Sequence, residues 1–184
     1  MSRVLAPMFA LLLALPAALA ATATVNAPVK LKVGDLAPQF SRGDLQGHHF
    51  DLKAQRGKIV LIDFWASWCP PCILEIPHLG QLQRQYGEHG FQAVGVSMDD
   101  SANTTKETIQ KIPFNYPVLM GDAKFGNLYG GVLGLPLQFL VGADGKILAI
   151  RSGELPPAML DKEIAAALKK ITLPDSQVIT RGYR

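Results

Sequence analysis

The stretch Ile59-Val60-Leu61-Ile62-Asp63-Phe64-Trp65-Ala66-Ser67-Trp68-Cys69-Pro70-Pro71-Cys72 holds a strand, a helix start and both of the chain's cysteines. Its first seven residues form a nearly continuous apolar run bounded by Gly57-Lys58 and Ser67, which predicts a strand buried on both faces, as in parallel sheets. Apolar residues then recur at helical spacing, at Ile73, Ile76, Leu79, Leu82 and Tyr86, before Gly87 and Gly90 stop the helix. Pro70 suits the first helical position, where an N–H would have no partner.

Working outward, short apolar patches flank Gly43, Asp44 and Gly47 between residues 37 and 52, predicting a small hairpin. After the first helix, residues 91–97 read as a second buried strand, and Asp99-Asp100-Ser101 can cap a helix running to about Lys111. A short strand at 117–120 and a short helix at 125–129 follow. Strands at 137–141 and 147–152 are joined through Asp144-Gly145, a hairpin signal. A final amphipathic helix spans 157–170 with Leu160, Ile164, Ala167 and Leu168 inward. This alternation predicts an α/β domain with a mixed sheet over residues 34–171.

The N-terminus reads differently. Residues 1–20 combine Arg3, an Ala/Leu-rich run and Ala18-Leu19-Ala20, the layout of a cleavable secretory signal. An uncleaved anchor is the alternative. Residues 21–33 read as a flexible leader, and 172–184 as a tail without pattern. Of 18 Lys and Arg, only Arg3 falls in the signal, so the remainder stays near neutral at about +2. No basic cluster can track a phosphate backbone, which argues against nucleic acid as a partner.

Two cysteines three positions apart in an exported chain add little stability as a bridge, because the loop they close is so short. Reactivity explains them better. With Pro70 opening the helix, Cys69 falls at the N-cap, where N–H groups and the helix dipole favour a thiolate. Cys69 is therefore expected to be exposed and to attack a substrate disulfide, and Cys72, one turn deeper, to resolve the mixed disulfide. A purely structural bridge is the bland alternative. Zinc would need two further ligands, and His48, His49, His78 and His89 form no matching motif. Asp63, alone among apolar neighbours, should have a raised pKa and could exchange a proton with Cys72. It could instead make only a local hydrogen bond or pair with Lys58. Glu75 is expected to face solvent, and Pro77 to kink the helix.

The segment Ile62 to Cys72, with Glu75 and Pro77, resembles the active site of thioredoxin-like proteins. It is most similar to the TlpA/ResA-type thiol–disulfide oxidoreductases in the redoxin (AhpC/TSA-like) branch. The likeness continues through Val94-Gly95-Val96-Ser97, Tyr116-Pro117-Val118-Leu119 and Gly134-Leu135-Pro136-Leu137-Gln138-Phe139-Leu140 to Asp144-Gly145. The resemblance implies a thioredoxin-like fold, with an N-terminal hairpin extension and an inserted helix–strand segment near residues 98–120. It makes Cys69 the nucleophile, Cys72 the resolving thiol and Pro136 a cis-proline. Leu135, Trp68 and Pro70 become substrate contacts, Leu135 through its backbone.

The implied activity is reduction of disulfides in periplasmic proteins, with a membrane electron donor as the second partner. Cytochrome c maturation or metal-site assembly would be the setting. The redox group is the Cys69–Cys72 disulfide, with no other cofactor and no metal. A disulfide donor or isomerase, a thiol peroxidase and a Sco-type copper chaperone are the alternatives, the last lacking a distal His because none follows His89. Two positions depart from the branch: Asp63 stands where Asn is common, and Leu137-Gln138 replaces Thr-Thr, a change that bears on substrate choice.

Overall fold

The computed structural model describes residues 30–172. The signal-like segment, most of the leader and the tail lie outside the described residues. Five strands form one sheet in the order β5-β4-β3-β6-β7. The central strand β3 (Ile59–Trp65) pairs in parallel with β4 (Phe91–Ser97), which pairs in parallel with β5 (Val118–Met120). On the other side β6 (Leu137–Val141) runs antiparallel to β3, and β7 (Ile147–Ser152) antiparallel to β6. The sheet is mixed and the fold thioredoxin-like.

Every residue of β3 is buried, because helices or the hairpin cover both its faces. Val60, Ile62 and Phe64 point to a layer containing Phe40, Phe50, Phe125, Tyr129 and Phe139. Ile59 and Leu61 point the other way, toward Leu79 and Leu82 of α1 (Pro70–Tyr86) and Leu160, Ile164 and Leu168 of α4 (Pro157–Thr172). Each such side chain contributes about 1.5–3 kcal/mol on burial, so this strict alternation pins the register of the central strand. Asp63 and Trp65 share the α1 side by the same period of two.

Both turns expected from glycine are present. Helix α1 runs through Pro77 and ends at Tyr86, and Gly90, at φ 94°, turns the chain into β4. Gly145, at φ 76°, closes the β6–β7 hairpin. The inserted segment is α2 (Ala102–Lys111) followed by β5, with Ser101 as the α2 N-cap. A short α3 (Ala123–Leu128) leads on to the loop before β6.

The N-terminal hairpin, β1 (Ser41–Gly43) with β2 (His49–Asp51), stands beside β5. Asp44 bridges Leu119, Leu45 N–H donates to the Val118 carbonyl at 2.8 Å, and Arg42 Nη1 donates to the Met120 carbonyl at 3.2 Å. Among the described residues, no helix is long and apolar enough to cross a membrane.

Candidate active site

At the C-terminal end of β3 the chain turns into α1, and Cys69 caps the helix with Pro70 and Pro71 at its first positions. Cys69 and Cys72 form a disulfide with Cα atoms 5.3 Å apart. The Cys69 cap accepts fewer hydrogen bonds than the spacing predicts. An N-cap side chain accepts from the N–H groups two and three residues on, and Pro71 has none. Among the described residues, only Cys72 N–H donates to Cys69 Sγ, at 3.4 Å.

The expectation of an exposed Cys69 is corrected. Cys69 is 4% and Cys72 2% exposed. Both belong to an apolar cluster with Trp65, Ile76 and Val118, against which Ile73, Ile109, Ile112 and Leu135 pack. Helix α2 and the loop before β6 thus close over a site that the helix start alone would leave open. Exposure does not separate the two cysteines; their helix positions do. Trp68, by contrast, is 67% exposed, and Pro70 beside it is exposed. The Leu135–Pro136 bond is cis, with Pro136 buried and Leu135 half-buried. The Pro136 carbonyl accepts from Gly153 N–H at 2.8 Å, which ties this loop to the end of β7.

Behind the disulfide lies a polar group that the sequence reading only half anticipated. Asp63 is 3% exposed and its pKa is pushed up to about 8, by burial first and by the Glu75 charge second, against a hydrogen bond from Gln138. It does not pair with Lys58; its hydrogen bond comes from Gln138. Glu75 is corrected in turn. It is half-buried and accepts from Gln138 Nε2 at 2.9 Å, and burial, opposed by that bond, raises its pKa. The helical period explains this, since position 75 falls between the inward positions 72, 76 and 79. Gln138 faces into the protein at 2% exposure, away from any docking partner, so its departure from the branch falls on the carboxyl groups. It lies directly opposite Asp63 in the antiparallel ladder. Two polar residues in apolar strands, forced to the same face, were the available signal.

Asp99 is no part of the α2 cap that its place in Asp99-Asp100-Ser101 suggests, since Ser101 caps that helix. Its carboxylate is buried and accepts from Ser67 N–H (3.0 Å), Ser67 Oγ (2.8 Å), Ser97 Oγ (3.0 Å) and Thr105 Oγ1 (2.9 Å). It therefore clamps the loop that presents Trp68 and Cys69. Among the described residues, no group of His, Cys, Asp and Glu could hold a metal ion.

Comparison with known proteins agrees with this geometry. The model of the AhpC/TSA family matches residues 33–150. Thiol-disulfide oxidoreductase ResA of Bacillus thuringiensis subsp. konkukian is 33% identical over 145 residues, 78% of this chain and 80% of that protein. The protein of the same name from Geobacillus kaustophilus is 28% identical over 159 residues, 84% of this chain and 91% of that one. Among solved structures, a Chlorobium tepidum protein assigned as thiol:disulfide interchange protein DsbE superposes with a TM-score of 0.71 at 34% identity. That match covers 76% of this chain and 99% of the other.

Proposed function

The chain belongs to the AhpC/TSA family and is a thiol–disulfide oxidoreductase of the ResA/DsbE type, and from that premise we propose that it is an exported reductase of disulfides in periplasmic proteins. Reduced Cys69 attacks the substrate disulfide as a thiolate, forming a mixed disulfide and releasing one substrate sulfur. Cys72 then attacks Cys69 Sγ, the second substrate sulfur leaves, and the Cys69–Cys72 disulfide forms. Two electrons and two protons pass from the enzyme dithiol to the substrate. Trp68, Pro70 and the Leu135 backbone beside Pro136 are the contacts for an extended substrate segment. Asp63 takes the Cys72 proton. A membrane electron donor restores the dithiol, and the disulfide is the whole redox equipment.

One observation carries the direction of electron flow. Pro70 and Pro71 leave Cys69 Sγ a single backbone donor, Cys72 N–H. A strong oxidant gains its power from a stabilised reduced form, and a thiolate with one donor is stabilised less. The N-terminal segment, with Arg3, its apolar run and Ala18-Leu19-Ala20, supports export.

The test is the equilibrium reduction potential of the Cys69–Cys72 couple against glutathione buffers, with Cys69→Ser as control. A value near that of thioredoxin, about −270 mV, is expected. A value near about −120 mV makes the protein a disulfide donor. N-terminal sequencing of protein from the periplasmic fraction tests export: a start at residue 21 is expected, and retention in the cytoplasm overturns it.

A further inference from the structure

A single row of residues crosses the sheet from an apolar edge to a charged one. Val118, Gly95, Asp63, Gln138 and Arg151 are successive register partners on β5, β4, β3, β6 and β7. The row is apolar at Val118, carries a buried carboxyl at its centre and ends on a guanidinium that pairs with Glu163 of α4. Gln138 stands between the carboxyl and the guanidinium.

A carboxamide nitrogen carries two hydrogens, and here each has a different carboxyl to meet. Gln138 Nε2 lies 3.3 Å from Asp63 Oδ1 and 2.9 Å from Glu75 Oε1. The two acids therefore come from different elements, β3 and α1, and are joined by the third, β6. Two carboxyl groups held this close in a buried site resist ionising together. The other charged and titratable groups acting on them are Tyr116 from the segment before β5, Arg151 on β7 and Glu154 just beyond it. Arg151 favours an ionised Glu75, and Glu154 opposes it.

We propose that Gln138 is a positioning residue for thiol–disulfide exchange. It holds Asp63 and Glu75 as one carboxyl pair sharing a single negative charge, so that a proton entering at Asp63 is matched by one leaving from Glu75. The inference rests on Cys72 being the resolving thiol. In that step the Cys72 S–H bond breaks as its sulfur bonds to Cys69 Sγ. The bond from Cys69 to the substrate sulfur breaks, and its electron pair leaves with the substrate as a thiolate. At rest, burial and the Glu75 charge hold Asp63 protonated. The shared charge passes to Asp63 as Glu75 gains a proton and Asp63 gives one up, and Asp63 then takes the Cys72 proton, which leaves Glu75 free to ionise again. Glu75 then gives its proton to solvent on the Arg151–Glu154 side, and solvent protonates the substrate thiolate. Proton exit is thereby separated from the Trp68 side, where the protein substrate would cover Cys69.

Gln138→Met keeps the side-chain length and removes the carboxamide. In the full chain, 13C-carboxyl NMR should show Asp63 and Glu75 each bearing the other's inflection, and Gln138→Met should abolish this cross-inflection. Resolution of a mixed disulfide with a peptide disulfide, followed by stopped flow, should slow about tenfold at neutral pH. Glu75→Gln should slow resolution in the unmodified chain and add nothing in Gln138→Met. Cross-inflection that survives in Gln138→Met, or a resolution rate unchanged at every pH, overturns the proposal. If Gln138→Met does not fold, Gln138→Glu serves, since its donor exists only when protonated. Resolution should then fall as pH rises, and a flat profile overturns the proposal. Failure of Cys72→Ser to trap a mixed disulfide would sink the assignment of Cys72 instead, while the carboxyl titrations still judge the pairing.

Discussion

Asp99, just past the end of β4, accepts the main-chain N–H of Ser67 at 3.0 Å across a sequence separation of 32 residues. With three hydroxyl donors on the same carboxylate, this is the fastening of the loop that presents Cys69. Asp99→Ala leaves the Ser97 and Thr105 hydroxyls buried without that acceptor, each at a cost of about 1–3 kcal/mol. Urea denaturation should show a loss of about 2–4 kcal/mol, together with faster alkylation of reduced Cys69 as the loop loosens. A loss below about 0.5 kcal/mol would mean that the clamp is idle.

The two cysteines should separate by behaviour although they are almost equally buried. Cys72→Ser should accumulate a stable mixed disulfide with a peptide disulfide, visible by intact mass. Cys69→Ser should form none and should lose turnover altogether. Trapping by Cys69→Ser in place of Cys72→Ser would reverse the assigned roles.

Asp63 makes stability depend on pH in a sense opposite to most carboxylates. Its folded pKa, about 8, lies above the unfolded value near 3.8, so between these limits the folded state binds more protons than the unfolded one. Stability is therefore greatest at low pH and declines as pH rises toward about 8, levelling off above it. Denaturation of the oxidised protein at pH 5 and pH 8.5 should differ by on the order of a few kcal/mol. Asp63→Asn should remove most of that slope. An unchanged slope in Asp63→Asn would assign the dependence to another group.

Gly95 makes room for the rings over the carboxyl. A Cβ there would lie 3.0 Å from Trp65 Nε1 and 3.5 Å from the Tyr116 ring. Gly95→Ala should cost about 1–3 kcal/mol in thermal or urea unfolding and alter the near-ultraviolet dichroism of Trp65. A variant with native stability and an unchanged spectrum would show that the rings can give way.

The elements of this fold are legible in the sequence because each is a local decision. The run from Ile59 to Trp65, the Ser101 cap, Asp144-Gly145 and the inward face of α4 all follow from spacing and turn chemistry. Cys69 at the N-cap follows from Pro70. What escaped local reading depends on which residues meet across elements. Glu75 points inward because the phase of α1 is set by Ile76 and Leu79 against the sheet. Gln138 meets Asp63 because β6 runs antiparallel to β3 in one register, a relation invisible until both strands are paired. Asp99 needed the return of β4 beside the end of β3. The burial of Cys69 required α2 and the Leu135 loop, which lie 30 residues and more downstream.

The hairpin beside β5 has a bearing on what this molecule avoids. A short parallel edge strand presents main-chain groups on which a stray extended polypeptide could nucleate. Here Leu45 N–H, the Asp44–Leu119 bridge and the Arg42 guanidinium already occupy them. A bare edge there would invite recruitment into the aggregates of such chains. On its β5 side the molecule offers them a finished sheet.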